Sequence, residues 1–356
     1  MSTTATLAPS SHPVHTFAAA APTSPASSAT APAAVPSFMR WARYANGIVV
    51  SEPGMSVRDA VVKSGLDYTV TLIDMFGRDN LNNDRVVGFD GHFGTVRRDK
   101  DGSVTPLAVV KSRYSVANNI DAFDFAQSLV DDWGANVVAA AAFGDPLGAQ
   151  AYLALRASDA ITVGGDDAHD VYVLLMNSHD GSSGITVSVI AVRRDNGTEV
   201  GFELPGAPQR WSIRHSGDIY AKYREAEKTA TMVNKWTTKY EGMTRLLLGA
   251  RVTETQIDKF VQRFLPTPSA AGDKSAKTWA ERRMVLRTMC KDAHDGDGFG
   301  AGTHMAVFNA TCSYIDHRSA TRGGEPELIR ARRAIEGRNT LTKAKAWRLL
   351  TESAES

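Results

Sequence analysis

Up to about residue 215 the apolar positions alternate with polar ones or run together in short blocks; beyond it they step by three and four. The first pattern predicts strands and the second predicts helices. Ser56 caps an early helix on which Val57, Val61, Val62 and Leu66 follow at helical spacing, ended by Gly65. Residues 67–76 alternate and are rich in β-branched side chains, so they read as a strand, followed by a loop at 80–84. Residues 93–98 and 107–111 read as strands around the turn 99–103. Asn118 or Asn119 caps a helix running to Trp133, with Ala122, Phe125, Ala126 and Leu129 on one face.

From 136 to 192 the pattern is β. Strands are predicted at 136–143, 151–157, 171–176 and 185–192, with an acidic loop at 164–170 and a hairpin turn at 177–184. From 216 the helical pattern takes over. It predicts helices over 218–249 (with a break near 239–242), 253–264, 279–290, 303–318, 325–336 and 342–350, and a linker at 266–277. The expectation is an α+β fold: an antiparallel sheet in the first half packed with a helical C-terminal half. A single domain spans 38–350, sheet-rich over 38–215 and helical over 216–350, with tails at 1–37 and 351–356. The first tail is Ala, Ser, Thr and Pro, which bury too little surface to offset ordering entropy, so disorder is expected there.

Net charge is only +1, but its distribution changes the picture. Residues 1–204 carry 14 Lys+Arg against 22 Asp+Glu, a balance of −8, and residues 205–356 carry 26 against 17, a balance of +9. That asymmetry makes an anionic partner worth considering for the second half. The two cysteines, Cys290 and Cys312, form no C-x-x-C pair, so neither a zinc ribbon nor a disulfide framework is expected. No apolar run of membrane-spanning length exists, and the first basic residue is Arg40, so neither a membrane span nor a secretory signal is expected.

Candidate chemistry is scattered. The run Gly296-x-Gly298-x-Gly300-x-Gly302 leads into Thr303, a candidate N-cap, and a helix start attracts anions. No lysine follows, so it is not a nucleotide P-loop. Two acidic clusters, Asp166/Asp167/His169/Asp170 and Asp292/His294/Asp295/Asp297, would suit a divalent cation, yet an EF-hand begun at Asp295 fails at Phe299 and Ala306. No metal or other cofactor is expected. Basic residues interleaved with aromatics suit single-stranded nucleic acid. Those residues are Arg193 and Arg194, then Arg210, Trp211, Arg214 and His215, then Arg318, Arg322, Arg330, Arg332 and Arg333. Between 318 and 348 there are nine Lys+Arg against three Asp+Glu.

Five ordered blocks resemble one family. They are SGLDYTV (64–70), KSRYSVANNIDAFDF (111–125), LLMNSHDGSSGITV (174–187), IRHSGD (213–218) and GTHMAVFNATCSYIDHRSATR (302–322). Together they resemble the phage/plasmid-like family built on domain of unknown function 932, over about residues 44–350. The motif positions are Asn177, His179, Asp180, Gly181, Gly302, Thr303, Asn309, Tyr314, Asp316 and His317. Two departures stand out: AVRRDNGTEV (191–200) lacks the family's cysteine, and His304 replaces its tryptophan. The resemblance implies a phage or mobile-element protein in a bacterial cytoplasm, without implying a reaction. A sheet followed by helices is similar to single-strand annealing proteins of the RecT type, a likeness of architecture alone.

Two functional classes follow. The first is single-stranded DNA binding or annealing in recombination or replication, by a chain that homo-oligomerisation would suit and that performs no catalysis. The second is a metal-dependent enzyme acting on nucleic acid or nucleotide, in which His179, Asp180, Asn309, Asp316 and His317 converge. It requires His179 and Asp316 to lie within about 10 Å of each other. A non-catalytic structural or regulatory phage protein is the third possibility.

Overall fold

The computed structural model describes residues 35–355 except 82–83, 165–166, 217–226 and 269–271. Residues 33–356 form one compact unit. Most of the predicted N-terminal tail, and the start of the helix expected at 218, lie outside the described residues.

Two antiparallel sheets build the first half. The larger contains β1 (Ile48–Val49), β5 (Asn136–Phe143), β6 (Gln150–Arg156), β7 (Ile161–Val163), β8 (Asp167–Ser178), β9 (Ile185–Arg193), β10 (Glu199–Val200) and β11 (Arg210–Ile213). Its order is β1-β5-β6-β8-β9-β10, with β7 on β8 and β11 on β9. Both faces are covered, which is why β5, β6 and β8 read as continuous apolar runs. Val171, Val173, Leu175, Val187 and Val189 face the helical half. Tyr152, Tyr172, Leu174 and Ile190 face a smaller core under α1 (Ser37–Tyr44) and a C-terminal helix.

The smaller sheet is β2 (Thr69–Asp79), β3 (Arg85–Arg98) and β4 (Val104–Lys111). β3 starts at Arg85, well before the 93 expected, because cross-strand pairing with β2 overrides the poor strand propensity of Gly88, Asp90 and Gly91. The Phe89 and Phe76 rings lie over Gly77 and Gly88, filling the space a Cβ would take.

The helices are α2 (Val57–Lys63), α3 (Asn119–Asp124), α4 (Gln127–Asp131), α5 (Glu227–Gly249), α6 (Glu254–Phe264), α7 (Asp273–Asp295), α8 (His304–Ser313), α9 (Pro326–Ile335) and α10 (Arg338–Ala354). A single π turn, Tyr314–Arg318, extends α8. Several expectations are corrected. The helix expected to Trp133 is two pieces, and Asn118 gives it no side-chain cap, because its Oδ1 accepts the Val70 N–H instead. The break at 239–242 is absent, since Gly242 faces open space and α5 runs through. Residues 167–170 belong to β8 and not to an acidic loop: Asp167 pairs with Val163 and His169 with Arg193. The linker ends at α7, which starts at Asp273, and the last helix extends to Ala354, past the expected tail boundary. α6 is capped as expected by Thr253, in a reciprocal box with Gln256.

Candidate functional site

The β8–β9 turn is where strand alternation separates two kinds of chemistry. Asn177 and His179 are in phase with Val173 and Leu175 and point into the helical core; Ser178 and Asp180 point to the other face. Asn119 Oδ1 accepts from His179 Nε2 at 2.9 Å and from Asn177 Nδ2 at 2.9 Å. Asn177 Nδ2 also donates to the Ala117 carbonyl, and Asn119 Nδ2 to that of Leu66. Since a carbonyl oxygen only accepts, His179 carries its proton on Nε2. Burial pushes the His179 pKa down to about 3, with His215 nearby adding to the effect. The imidazole is therefore neutral near pH 7 and acts as a pin between strand and helix.

Asp180 accepts from Ser178 Oγ, Ser182 N–H and Gln150 Nε2. Burial opposes ionisation, but these hydrogen bonds outweigh it and hold the carboxyl below its usual range. The charge is thus spent on shaping the turn.

Beside this turn lies a groove of about 810 Å³. The end of β4 and the segment after it form one wall, with Lys111, Arg113 and Tyr114; the turn residues Asp180–Gly184 and β11 form the other. Period-two alternation along β11 sends Arg210, Ser212 and Arg214 into the groove, and Trp211, Ile213 and His215 toward the interior. Tyr114 stacks on His215 with centroids 5.0 Å apart, and its hydroxyl donates to the Ser178 carbonyl. His215 Nδ1 donates to the Ser115 carbonyl at 3.2 Å, and burial lowers its pKa. Lys111, Arg113, Arg210 and Arg214 are all exposed, and Asp180 is the one carboxylate that lines the groove among the described residues.

The other expected nucleic-acid contacts are placed elsewhere. Arg193 continues the inward phase of Val187, Val189 and Ala191, and is buried. It pairs with Asp167 at 3.0 Å and Asp195 at 2.8 Å, and Asp167 in turn meets His169 at 2.9 Å. A cation so enclosed is unable to reach a phosphate. Arg194 is on the opposite face, paired with Asp170 at 2.7 Å. Trp211 is half-buried, its indole N–H bonded to Thr229 and its ring tilted on Phe125, so it offers no open stacking face. Arg330 and Arg333 donate to the Ser319 and Ala320 carbonyls, and Arg332 pairs with Glu336. Arg330 and Arg333 tie the segment before α9 to that helix, whereas the Arg332 pair lies at the helix's own C-terminal end. Arg318 and Arg322 are exposed and do not line the groove.

The glycine-rich run is also corrected. The N–H groups of Ala301, Gly302, Thr303 and His304 are spent on Gly298, His294, Gly300 and Ala250 carbonyls. Thr303 turns its hydroxyl back to Gly300 and makes no cap bond. Gly302 sits at φ 73°, and its position abuts Arg251. These four donors at the helix end of the run are held by the protein's own carbonyls and are not offered to an anion. Asn309, Tyr314 and Asp316 are buried, and His317 is half-buried with its pKa lowered by burial.

The two His/Asp pairs do not meet. Asp316 Oδ2 accepts from the Glu199 N–H, and Lys343 Nζ donates to the same oxygen at 2.7 Å and to the Glu199 carbonyl. Glu199 pairs with Val192 and Val192 with Asp170, nine residues along β8 from His179. At the usual rise per residue that separates the pairs by about 30 Å. A single metal centre shared by His179 and Asp316 is excluded on this geometry. Among the described residues no three His, Cys, Asp or Glu side chains converge to hold a metal ion. Both thiols are buried and pushed up to about 12 by burial, so neither is poised as a nucleophile.

Lys111, Arg113 and Tyr114 escaped the sequence reading as site residues. Their signal was present in KSRY, where two cations and an aromatic close a predicted strand. Among the described residues no helix is long and apolar enough to cross a membrane.

Comparison with known proteins returned one finding. The family model described as Domain of unknown function (DUF932) matches residues 106–340. Every groove-lining residue falls inside that segment, whereas β2 and β3 precede it. No curated protein and no solved structure matches the chain. The matched segment covers well over half of the sequence, and the chain belongs to the DUF932 family.

Proposed function

We propose that the protein binds single-stranded DNA along the groove between β4 and β11, as a non-catalytic binding or annealing protein of a phage or mobile element acting in the bacterial cytoplasm. One observation carries this reading. Four exposed cations, Lys111, Arg113, Arg210 and Arg214, converge on one groove whose single described carboxylate is already saturated by internal hydrogen bonds. Four cations against one carboxylate among the described residues leave the groove net positive, which attracts a polyanion, and its release of counterions drives binding. The half-exposed Tyr114 ring in the groove wall, one face stacked on His215, adds a flat surface for a base on its other face. The site takes over from Trp211 and the 318–333 arginines as the contact surface, while the polymer expected to bind is unchanged.

The test is a mobility shift of a labelled strand of about 40 nucleotides, several site sizes long, at low salt. A retarded complex is expected. An unshifted strand at micromolar protein refutes the reading and leaves a structural or regulatory role.

A further inference from the structure

The β2–β3 hairpin is a second feature that the groove does not use. β4 pairs with β3 only over His92–Arg98, so beyond that point the hairpin stands as a two-stranded arm. Both its faces carry exposed apolar side chains: Leu72, Phe76 and Val86, and Ile73, Val87 and Phe89, with Phe76 65% exposed. A hairpin wet on both faces is marginal by itself and carries more apolar surface than solvent contact favours. The outer edge of β2 is tied down only at its base, where Val70 N–H meets Asn118. From Leu72 to Asp79 no backbone hydrogen bond on that edge is found among the described residues. The edge has no proline and no lysine, two of the devices that block pairing, and at the register shift between Asp74 and Phe76 the extra residues are on β3, where 89–92 stand opposite Met75.

Charge decides what covers it. The arm carries Asp74, Asp79, Asp84 and Asp90 against Arg78 and Arg85, so it repels phosphate. Its own sequence is instead complementary to itself. If two copies of β2 pair antiparallel about a two-fold axis through Phe76, Asp74 of each faces Arg78 of the other, and the two Phe76 rings meet on the axis. Asp74, Phe76 and Arg78 are all exposed and share one side of the strand, and neither charge has an ion-pair partner among the described residues. We infer that the outer edge of β2 is a homodimer interface, occupied by β2 of a second copy, so that the two smaller sheets join into one. The inference is independent of DNA binding.

Sedimentation velocity of the full chain over a concentration series tests it. The wild type should show a concentration-dependent dimer. Asp74→Arg and Arg78→Asp should each weaken it roughly tenfold or more, because two attractive pairs become two repulsive ones. An equimolar mixture of the two variants should restore the dimer, since both arginines of one chain then face the two aspartates of the other. Weakening by each variant alone, followed by that rescue, requires positions 74 and 78 to face each other. Phe76→Cys should give a disulfide-linked dimer under mild oxidation, because directly opposed strand positions lie within disulfide reach. Both native cysteines are buried and will not compete. A wild type that stays monomeric throughout overturns the inference. So does a pair of charge variants that dimerise as wild type, or a mixture that fails to recover while Phe76→Cys does not cross-link.

Discussion

Removing two cations from the groove tests its role through the salt dependence of binding, a quantity insensitive to small errors in active concentration. Arg210 and Arg214 lie on the same side of one edge strand and its continuation, four residues apart, so about 13 Å separates them along the chain. With Lys111 and Arg113 they make four cations available to phosphates. Each phosphate neutralised on a single strand contributes about −0.7 to the slope of log K against log salt, so four predict a slope near −2.8. Raising salt from about 50 to 200 mM should then weaken binding about 50-fold. In the Arg210→Ala/Arg214→Ala variant the slope should halve to about −1.4, and the same salt change should cost about sevenfold. Fluorescence anisotropy of a labelled strand across a sodium chloride series reads both slopes. Arg318→Ala/Arg322→Ala, outside the groove, serves as the comparison. A slope unchanged in the groove variant, or reduced only in the comparison variant, refutes the assignment of the groove.

Three further outcomes follow from the buried polar groups and the tight packing. Lys343→Met leaves the Asp316 carboxylate buried without its cation, and should cost about 3–5 kcal/mol of stability in urea denaturation. His179 has its folded pKa pushed down from 6.5 to about 3, so the unfolded chain binds the extra proton between those values. The contribution is fully present above pH 6.5 and is lost as pH falls toward 3, on the order of 5 kcal/mol in all. Acid titration followed by circular dichroism should show this, and His179→Gln should flatten the acid limb by up to one proton. Gly184→Ala places a Cβ 2.0 Å from the Ile213 carbonyl oxygen and 3.2 Å from Arg214 Cα. It should loosen β11 from β9 and lower both melting temperature and DNA affinity, whereas Gly206→Ala, where φ is 74°, should cost stability alone.

Part of the site was legible in strand period alone. Arg193 is in phase with Val187, Val189 and Ala191, so its burial could be read from alternation, as could the inward aim of Asn177 and His179. Reading charge clusters without their phase is what grouped Arg193 with Arg194, and Trp211 with Arg210. The Asp167–Arg193 pair was out of reach, because residues 26 apart in sequence meet only through the β8–β9 register. The same holds for the Lys343–Asp316–Glu199 cluster, which joins α10, the π turn and β10.

The sequence by itself determined the class of most segments: an antiparallel sheet, then helices, the strand order of a hairpin, the capped start of α6, and the family resemblance of blocks that stand in order. Those properties depend on local period and short-range turn chemistry, which a chain carries wherever it folds. Tertiary structure alone decided which charges meet a partner and which converge. It closed the end of the glycine run on nearby carbonyls, gave Arg193 and Arg194 their aspartate partners, and set two His/Asp pairs about 30 Å apart along the sheet. It also brought Lys111 and Arg113 across from β11, because burial and convergence depend on pairing between segments a hundred residues apart.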